Sequence, residues 1–256
     1  MAYEEGREHE GATPGWEREI ARRRDALFER IRAACAACGR DVSEIRVVAV
    51  TKAHGSEVVR AAARLGLFRI GENRVQEASV KRNEVGELNL YWEGIGPVQS
   101  NKASLAAATF DRIQSVDRIK IVQRLDRHAC ELAKRLPILL QVNTGDDPNK
   151  HGVAECEAEA LLESALSASS LRVEGLMTIA PLTDDSQAAA RAFAALRALR
   201  DRLADRCGVQ LGELSMGMSG DLEDAIREGS TCVRVGSALF GERQGGISRP
   251  ASNVPL

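Results

Sequence analysis

The chain has 256 residues, of which 44% are hydrophobic and 28% are charged, so it can bury a sizeable core in one large domain or two small ones. Its formal net charge is only −2 and its aromatic content 4%, which exclude the basic patches and base-stacking surfaces of nucleic-acid-binding proteins. No apolar run approaches bilayer length and no secretory signal opens the chain, so we expect a cytoplasmic protein without membrane or nucleic-acid partners.

The chain alternates between short apolar stretches typical of strands and longer stretches with helical spacing. A leading helix is predicted over residues 16–38, where Ile20, Leu27 and Ile31 recur at helical spacing before Gly39 ends it. Strands are predicted over residues 45–50, 67–70, 91–95, 110–115, 137–143, 171–179, 211–216 and 231–235. Helices are predicted over residues 56–65, 75–84, 99–108, 117–135, 153–166, 184–207, 221–228 and 238–240, with Ser56 and Asp117 as N-caps.

Eight strands, each followed by a helix, predict a parallel sheet of the α/β class. Eight such units in roughly 200 residues match a single closed (β/α)8 barrel of the TIM type with an extra N-terminal helix. A doubly wound open sheet is the alternative, but the residues after the first strand (51–55) lack its glycine-rich phosphate fingerprint. Since no linker divides the chain, we expect one barrel domain over residues 16–243, with loose tails over residues 1–15 and 244–256.

Six scattered cysteines are expected to be reduced thiols in a chain of this size. Cys35 and Cys38 form a C-x-x-C pair, but they lie in a helical run without a second pair, so redox or zinc chemistry is not expected there. The four histidines do not recur at metal-ligand spacing, and no metal site is expected.

The first predicted strand leads directly into Thr51 and Lys52. In a barrel of this type the chemistry lies at the carboxyl ends of the strands. A lysine held in an apolar mouth can have its pKa lowered and become a nucleophile toward an aldehyde. The alternative is that Lys52 extends out of the sheet into water, and the strand alone does not decide between the two.

Glycine-rich loops follow the last two predicted strands, Gly217-Met218-Ser219-Gly220 and Gly236-Ser237. Glycines let a backbone approach a ligand closely, and phosphate sites in barrels are often built from these two loops. Tight turns without a ligand are the alternative, but the hydroxyls of Ser219 and Ser237 favour a phosphate site.

Arg234 lies within the last predicted strand and either faces the mouth or pairs with a neighbouring carboxylate. A nucleophilic lysine after the first strand and a phosphate cradle after the last two predict one ligand, with an aldehyde at one end and a phosphate at the other. Pyridoxal 5′-phosphate (PLP) has this chemistry. A barrel for another phosphate ligand, in which Lys52 is only an electrostatic contact, is the third possibility.

Several motifs, in order along residues 20–243, closely resemble the pyridoxal phosphate homeostasis protein family. They lie at residues 49–52 (AVTK), 70–77 (IGENRVQE), 95–102 (IGPVQSNK), 141–143 (QVN), 150–152 (KHG), 175–181 (GLMTIAP) and 214–219 (LSMGMS), continuing to 240–241 (FG). The resemblance implies a barrel similar to the N-terminal domain of alanine racemases, with PLP bound to Lys52 as a Schiff base. It also implies that Arg234 faces the pyridine nitrogen. The other cofactor-binding residues that it implies are Asn73, Met218, Ser219, Gly236 and Ser237.

The chain departs from the family pattern in three places. Ala53 stands where proline is common, Glu93 and Gly94 stand where the family has histidine and phenylalanine, and an acidic tail precedes the matched region. The second departure removes a histidine and an aromatic side chain from the third predicted strand.

The predicted site lacks parts that an efficient PLP enzyme needs. The guanidinium of Arg234 can only donate hydrogen bonds, so it would keep the pyridine nitrogen unprotonated and the ring a weak electron sink. Racemisation needs a base opposite the lysine, which in alanine racemases is a tyrosine of a second domain, and this chain has only Tyr3 and Tyr91. We therefore expect a non-catalytic carrier and buffer of PLP, with PLP-dependent apo-enzymes as possible partners. A small PLP-dependent racemase or lyase is the alternative.

One helical surface bears on the oligomeric state. The helical surface over residues 188–203, rich in alanine, leucine and arginine, either pairs with a second subunit or covers the barrel. A monomer or a weak homodimer is expected.

Overall fold

The computed structural model describes residues 14–145, 151–183 and 185–241. The tails predicted over residues 1–15 and 244–256 lie outside these ranges, except for Pro14 and Gly15. Gly15 is the first residue of the leading helix, which therefore begins one residue earlier than predicted.

Within the described ranges, eight parallel strands form a closed barrel in which each strand pairs with the next along the chain. The eighth strand pairs with the first and closes the barrel, with Val48 opposite Arg234 and Ala49 opposite Val235. The strands are β1 (Arg46–Val50), β2 (Arg69–Glu72), β3 (Tyr91–Gly94), β4 (Arg112–Val116), β5 (Leu136–Gln141), β6 (Leu171–Met177), β7 (Glu213–Ser215) and β8 (Cys232–Val235). The predicted (β/α)8 barrel is confirmed.

Helices follow the strands on the outside of the barrel. They are α1 (Gly15–Cys38), α2 (Ser56–Arg64), α3 (Val75–Val85), α4 (Ala103–Thr109), α5 (Ile119–Glu131), α6 (Ala158–Leu166), α7 (Ala188–Cys207), α8 (Leu222–Arg227) and α9 (Ser237–Phe240). Gly39 ends α1 in the left-handed conformation, as predicted. The helices predicted over residues 99–108 and 153–166 each begin with a separate 3-10 turn, Ser100–Lys102 and Glu155–Glu157.

Both predicted N-caps are wrong. Ser56 is the first residue of α2, whose N-cap is Gly55. Asp117 lies before Arg118, the N-cap of α5, and its carboxylate instead accepts a hydrogen bond from the Arg118 guanidinium at 2.8 Å. A charged partner next along the chain competes for the carboxylate that would otherwise accept from the helix backbone.

Side chains on the outer face of the strands form the main hydrophobic core with the helices. Ala49, Ile70, Trp92, Val233 and Val235 belong to this core, and all are buried. Strand residues alternate between the two faces, so their neighbours along the strands point into the barrel. The outer layer explains why the strands read as nearly continuous apolar runs.

Charged residues fill the floor of the barrel, where the strands begin. This floor cluster consists of Arg46, Arg69, Arg112, Glu93, Glu174 and Glu213. Arg112 is buried and donates to Glu93 at 2.8 Å. Burial is the largest single influence and would lower the pKa of Arg112, but the charge of Glu93 together with the hydrogen bonds to Glu93 and Glu174 raises the pKa overall. The floor is therefore closed by paired charges, which burial requires.

The cysteines and the helix lengths can be compared with the sequence-based expectations. All six cysteines are free, and Cys35 and Cys38 lie on α1. Among the helices of the described ranges, none has the length and apolar character that a membrane crossing requires.

Candidate functional site

Lys52 lies at the mouth of the barrel, directly after the carboxyl end of β1. Val48 and Val50 point into the barrel, since a Cβ at Gly71 on β2 would lie 2.8 Å from the Val48 side chain and 3.4 Å from that of Val50. Lys52 continues this two-residue period and is half-buried. The barrel wall below it is thus formed by the apolar side chains of Val48 and Val50.

The turn that carries Lys52 is held from the outer side of the barrel by a buried cluster. The Thr51 hydroxyl donates to Glu72 at 2.6 Å, and the Lys81 ammonium donates to the same carboxylate oxygen at 2.6 Å. Lys81 also donates to the Thr51 carbonyl at 2.9 Å. The second oxygen of Glu72 is buried without a hydrogen-bond partner in the described part of the chain. Burial therefore raises the pKa of Glu72, although Lys81 opposes the rise.

The next residue of the turn, Ala53, has a φ of 65°, in the left-handed region. Proline cannot adopt this conformation because its ring fixes φ near −65°. The departure from the family pattern at this position therefore accompanies a turn that a proline would not permit.

Arg234 points into the barrel at the level where β6 and β7 end. Its guanidinium donates to the Ser215 hydroxyl at 2.6 Å and to the Thr178 carbonyl at 2.7 Å. Burial lowers the pKa of Arg234, and no carboxylate of the described residues forms an ion pair with it. Of the two alternatives given by the sequence, pairing with a carboxylate is not found.

The loops after β7 and β8 meet at the mouth. The Ser219 hydroxyl accepts a hydrogen bond from the Ala238 backbone N–H at 3.2 Å. Arg30 of α1 donates to the Ser219 carbonyl at 3.1 Å and pairs with Glu223 at 2.8 Å, which ties this loop to the outer helices. Ser237 is exposed beside these groups. The two loops predicted to form one cradle are therefore neighbours.

Two glycines allow these loops to pack closely against neighbouring helices and strands. Gly217 has a φ of 96°, and a Cβ there would lie 2.4 Å from the Cβ of Ala225. A Cβ at Gly236 would lie 3.3 Å from the carbonyl oxygen of Val50, two residues before Lys52. The loop after β8 thus passes directly against the end of β1, and any side chain at Gly236 would occupy that space.

Asn73 and Met218 lie at the edge of this arrangement. Met218 is 37% exposed, and its backbone N–H donates to the Asp221 carboxylate. Asn73 is exposed and lines a cleft of about 380 Å³ between the loops after β2 and β3. Among the described residues that line this cleft, neither Lys52 nor Ser219 is present.

The departure at residues 93 and 94 lies away from the mouth. Glu93 points into the barrel and joins the floor cluster. Gly94 points outward, where a Cβ would lie 2.8 Å from the ring of Phe110. Phe110 therefore occupies the space that a larger side chain at residue 94 would need.

Sequence reasoning gave no role to the residues that support the site. Lys81, Thr178, Ser215 and Glu72 are buried polar groups whose partners come from other strands and helices. Glu72, Thr178 and Ser215 lie within the motifs that resemble the family, and Lys81 lies in a predicted helix, but neither the motifs nor the helix indicates which partners these residues have. Such residues can also be solvent-facing, so their pairing depends on the closed barrel.

The donor set suits a molecule with a carbonyl group and an anionic group. Lys52 supplies a primary amine, Ser219 and Ser237 supply hydroxyl groups, and Arg234 supplies a buried guanidinium. Gly236 supplies the cradle that a Cβ would fill. An aldehyde condenses with an amine, while hydroxyl and backbone N–H groups bind phosphate oxygens. The residues at the mouth therefore fit PLP.

Comparison with known proteins places the chain in a family. Residues 23–244 match the family model described as the alanine racemase, N-terminal domain. The Pyridoxal phosphate homeostasis protein of Pseudomonas aeruginosa is 44% identical over 223 residues, covering 87% of this chain and 94% of that protein. The protein of the same name from Escherichia coli K12 is 36% identical over 233 residues, covering 88% and 97%.

Solved structures agree with this assignment. The structure of PipY of Synechococcus elongatus with PLP bound is 37% identical, has a TM-score of 0.78 and is matched over 87% of this chain and 100% of that chain. An alanine racemase of Clostridium difficile 630 is 16% identical with a TM-score of 0.71, over 87% of this chain and 57% of that chain, which shows the shared fold alone. The chain belongs to the alanine racemase N-terminal domain family and, within it, to the pyridoxal phosphate homeostasis proteins.

Proposed function

We propose that the chain binds PLP at the mouth of its barrel and serves in PLP homeostasis as a carrier and buffer of the cofactor. The observation that carries this proposal is the pairing of β1 with β8, which places Gly236 against the Val50 carbonyl, two residues before Lys52. An amine and a phosphate cradle are thereby offered to the two ends of one small molecule. Bound PLP in PipY, a relative that matches over its whole length, supports the proposal.

Each residue of the mouth has a distinct role in this proposal. Lys52 would hold the aldehyde carbon covalently through its amine, with release of water. Ser219, Ser237 and the backbone at Gly236 would bind the phosphate. Arg234, held by Ser215 and Thr178, would donate to the ring nitrogen. When bound, the cofactor supplies a ring that can withdraw electrons from an attached amino acid.

The carrier role rests on what surrounds these groups. Arg234 has no proton that it would give up, so a ring nitrogen facing it stays unprotonated and withdraws electrons weakly. Tyr91, the one tyrosine of the described residues, begins β3 at the floor of the barrel and donates to the Asp111 carbonyl at 3.3 Å. It lies at the end of the barrel opposite the mouth, so it is not placed to serve as a base on the second face of a cofactor.

We infer three finer properties on the same basis. The chain would act in the cytoplasm, hand PLP to PLP-dependent apo-enzymes, and exist as a monomer or a weak homodimer. The face of α7 toward the barrel is buried, including Phe193, Leu196 and Leu199, so this part of the predicted pairing surface covers the barrel.

The test is a cofactor-transfer experiment with the purified full chain. The chain is incubated with PLP, freed of unbound cofactor and mixed with an apo-enzyme whose activity reports the arrival of PLP. Carriage predicts that activity appears and that the chain loses bound PLP in step. A chain that retains no PLP after incubation contradicts the proposal. Rapid exchange of the α-hydrogen of alanine in deuterated water would instead support the racemase or lyase alternative.

A further inference from the structure

A chain of hydrogen bonds runs through the interior of the barrel from the floor cluster to Arg234. The Gln114 amide nitrogen donates to Glu93, and the Ser215 hydroxyl donates to the Gln114 amide oxygen at 2.6 Å. The Arg234 guanidinium in turn donates to Ser215 at 2.6 Å. This series of hydrogen bonds therefore links the Glu93 carboxylate at the floor with the Arg234 guanidinium at the mouth through two neutral side chains, Gln114 and Ser215.

Every link of this chain has a fixed direction. Glu93 faces the guanidinium groups of Arg69 and Arg112, each at 2.8 Å, and a carboxylate only accepts hydrogen bonds. Gln114 must therefore turn its amide nitrogen toward Glu93 and its oxygen toward Ser215. The single hydroxyl proton of Ser215 goes to that oxygen, which leaves the lone pairs of Ser215 facing Arg234.

Burial enforces the direction. Glu93, Gln114, Ser215 and Arg234 are all buried, so bulk water cannot replace a missing partner. A reversed amide would bring its oxygen against the carboxylate of Glu93, and each unmatched buried group would cost about 1–3 kcal/mol. Within the described residues, the one other acceptor near the Gln114 nitrogen is the Cys232 sulfur at 3.8 Å, a weak acceptor that cannot replace the carboxylate.

We propose that Glu93 and Gln114 are positioning residues that orient the Arg234 guanidinium for the ring nitrogen of bound PLP. This inference rests on the proposed function. Glu93 is one of the residues at which the chain departs from its family pattern, where histidine is usual. An imidazole can donate or accept, whereas the carboxylate fixes the polarity of the whole chain of hydrogen bonds.

The first part of the test uses the protein without PLP. Side-chain NMR of arginine-labelled protein, assigned with Arg234→Lys, reports whether the two terminal nitrogen groups of Arg234 exchange by rotation. We expect separate, slowly exchanging signals in the wild type. Gln114→Met keeps the volume but removes the acceptor for Ser215, and Glu93→Gln removes the carboxylate. Both substitutions should merge or broaden the Arg234 signals.

The matched control is Glu174→Gln, which removes another carboxylate bonded to Arg112 but does not touch Gln114. It should leave the Arg234 signals unchanged. Thermal unfolding identifies which of Gln114→Met and Glu93→Gln retains a cooperative transition, and a folded variant with wild-type Arg234 signals overturns the inference.

The second part measures the dissociation constant and absorbance spectrum of bound PLP. Loss of one oriented charged hydrogen bond predicts affinity about tenfold weaker and a shifted band in Gln114→Met and Glu93→Gln, with wild-type values in Glu174→Gln. Unchanged affinity and spectrum in the two variants would contradict the inference. Failure of the wild type to bind PLP would overturn the proposed function instead, while the NMR experiment would still decide whether Arg234 is held from the floor.

Discussion

The Lys81 ammonium donates to the Thr51 carbonyl at 2.9 Å, one residue before Lys52. The same ammonium pairs with Glu72 at 2.6 Å, and both side chains are buried. An ion pair on the outer face of the barrel therefore holds the turn from which Lys52 reaches into the mouth. We therefore expect the position of the Lys52 amine, the proposed point of PLP attachment, to depend on Lys81 of α3.

Lys81→Met should destabilise the protein strongly. The substitution leaves the buried carboxylate of Glu72 without its cation, and breaking a buried pair in this way costs about 3–5 kcal/mol. Urea denaturation measures the loss. Lys134→Met is the matched control, because the half-buried Lys134 donates, within the described ranges, to the carbonyls of Ala107 and Phe110 and to no carboxylate. A smaller loss is expected. Adding Glu72→Gln to Lys81→Met should recover part of the stability, and a double variant weaker than Lys81→Met alone would contradict the pairing.

Ala53→Gly should stabilise the protein because Ala53 holds a φ of 65°. Glycine relieves the strain of the left-handed conformation but loses more conformational entropy on folding. The difference between these two effects predicts a gain of about 0.5–1 kcal/mol in the free energy of unfolding. Ala133, with a φ of 50° after α5, is a matched site where Ala133→Gly should give a similar gain. Ala53→Pro should lower both stability and PLP affinity, since proline cannot form this turn. Wild-type PLP binding by Ala53→Pro would show that the turn does not position Lys52.

Gly236→Val should weaken PLP binding and also lower the stability of the protein. Its side chain would enter the space beside the Val50 carbonyl, where even a Cβ lies at 3.3 Å. A cost of about 1–3 kcal/mol, typical of overpacking, at the loop that binds PLP predicts affinity weakened about 5- to 150-fold. Gly212→Val is the control, because a Cβ there meets nothing within 4 Å. Equal PLP affinity of the two variants, measured by titration, would place the phosphate elsewhere.

Acid should loosen the attachment of the Ser219 loop to α1. The hydrogen bond from Arg30 lowers the pKa of Glu223 below its ordinary value of 4.5. Because the folded-state pKa is the lower one, the stabilisation is present above the ordinary value and is lost as the pH falls through the folded-state value. Urea midpoints at about pH 6 and about pH 3.5 should therefore differ less in Glu223→Gln than in the wild type. An identical difference in both proteins would show that the pair contributes nothing measurable.

The sequence was sufficient for the barrel because its signals are local. Alternating apolar strands and amphipathic helices indicate eight β/α units without knowledge of any long-range contact. Errors are confined to ends, as at Ser56 and Asp117, where a neighbouring residue or a charged partner takes the capping position.

The candidate site could be predicted only where its residues lie at strand ends. Lys52, Ser219, Arg234 and Ser237 are found at the mouth because the topology itself places them there. Lys81 and the path from Glu93 to Arg234 could not be predicted, since each link joins strands or helices that are distant in sequence. Such partners become visible only when the barrel closes.

The most direct test of the central claim is the absorbance of the chain after incubation with PLP and removal of free cofactor. Covalent attachment to Lys52 predicts an absorbance band at longer wavelength than the absorbance of the protein alone. The band should be lost in Lys52→Ala and retained in Lys102→Ala, because Lys102 is a half-buried lysine of the neighbouring cleft. Reduction with borohydride should then fix the cofactor to a peptide containing residue 52. A band of wild-type strength in Lys52→Ala would contradict the account.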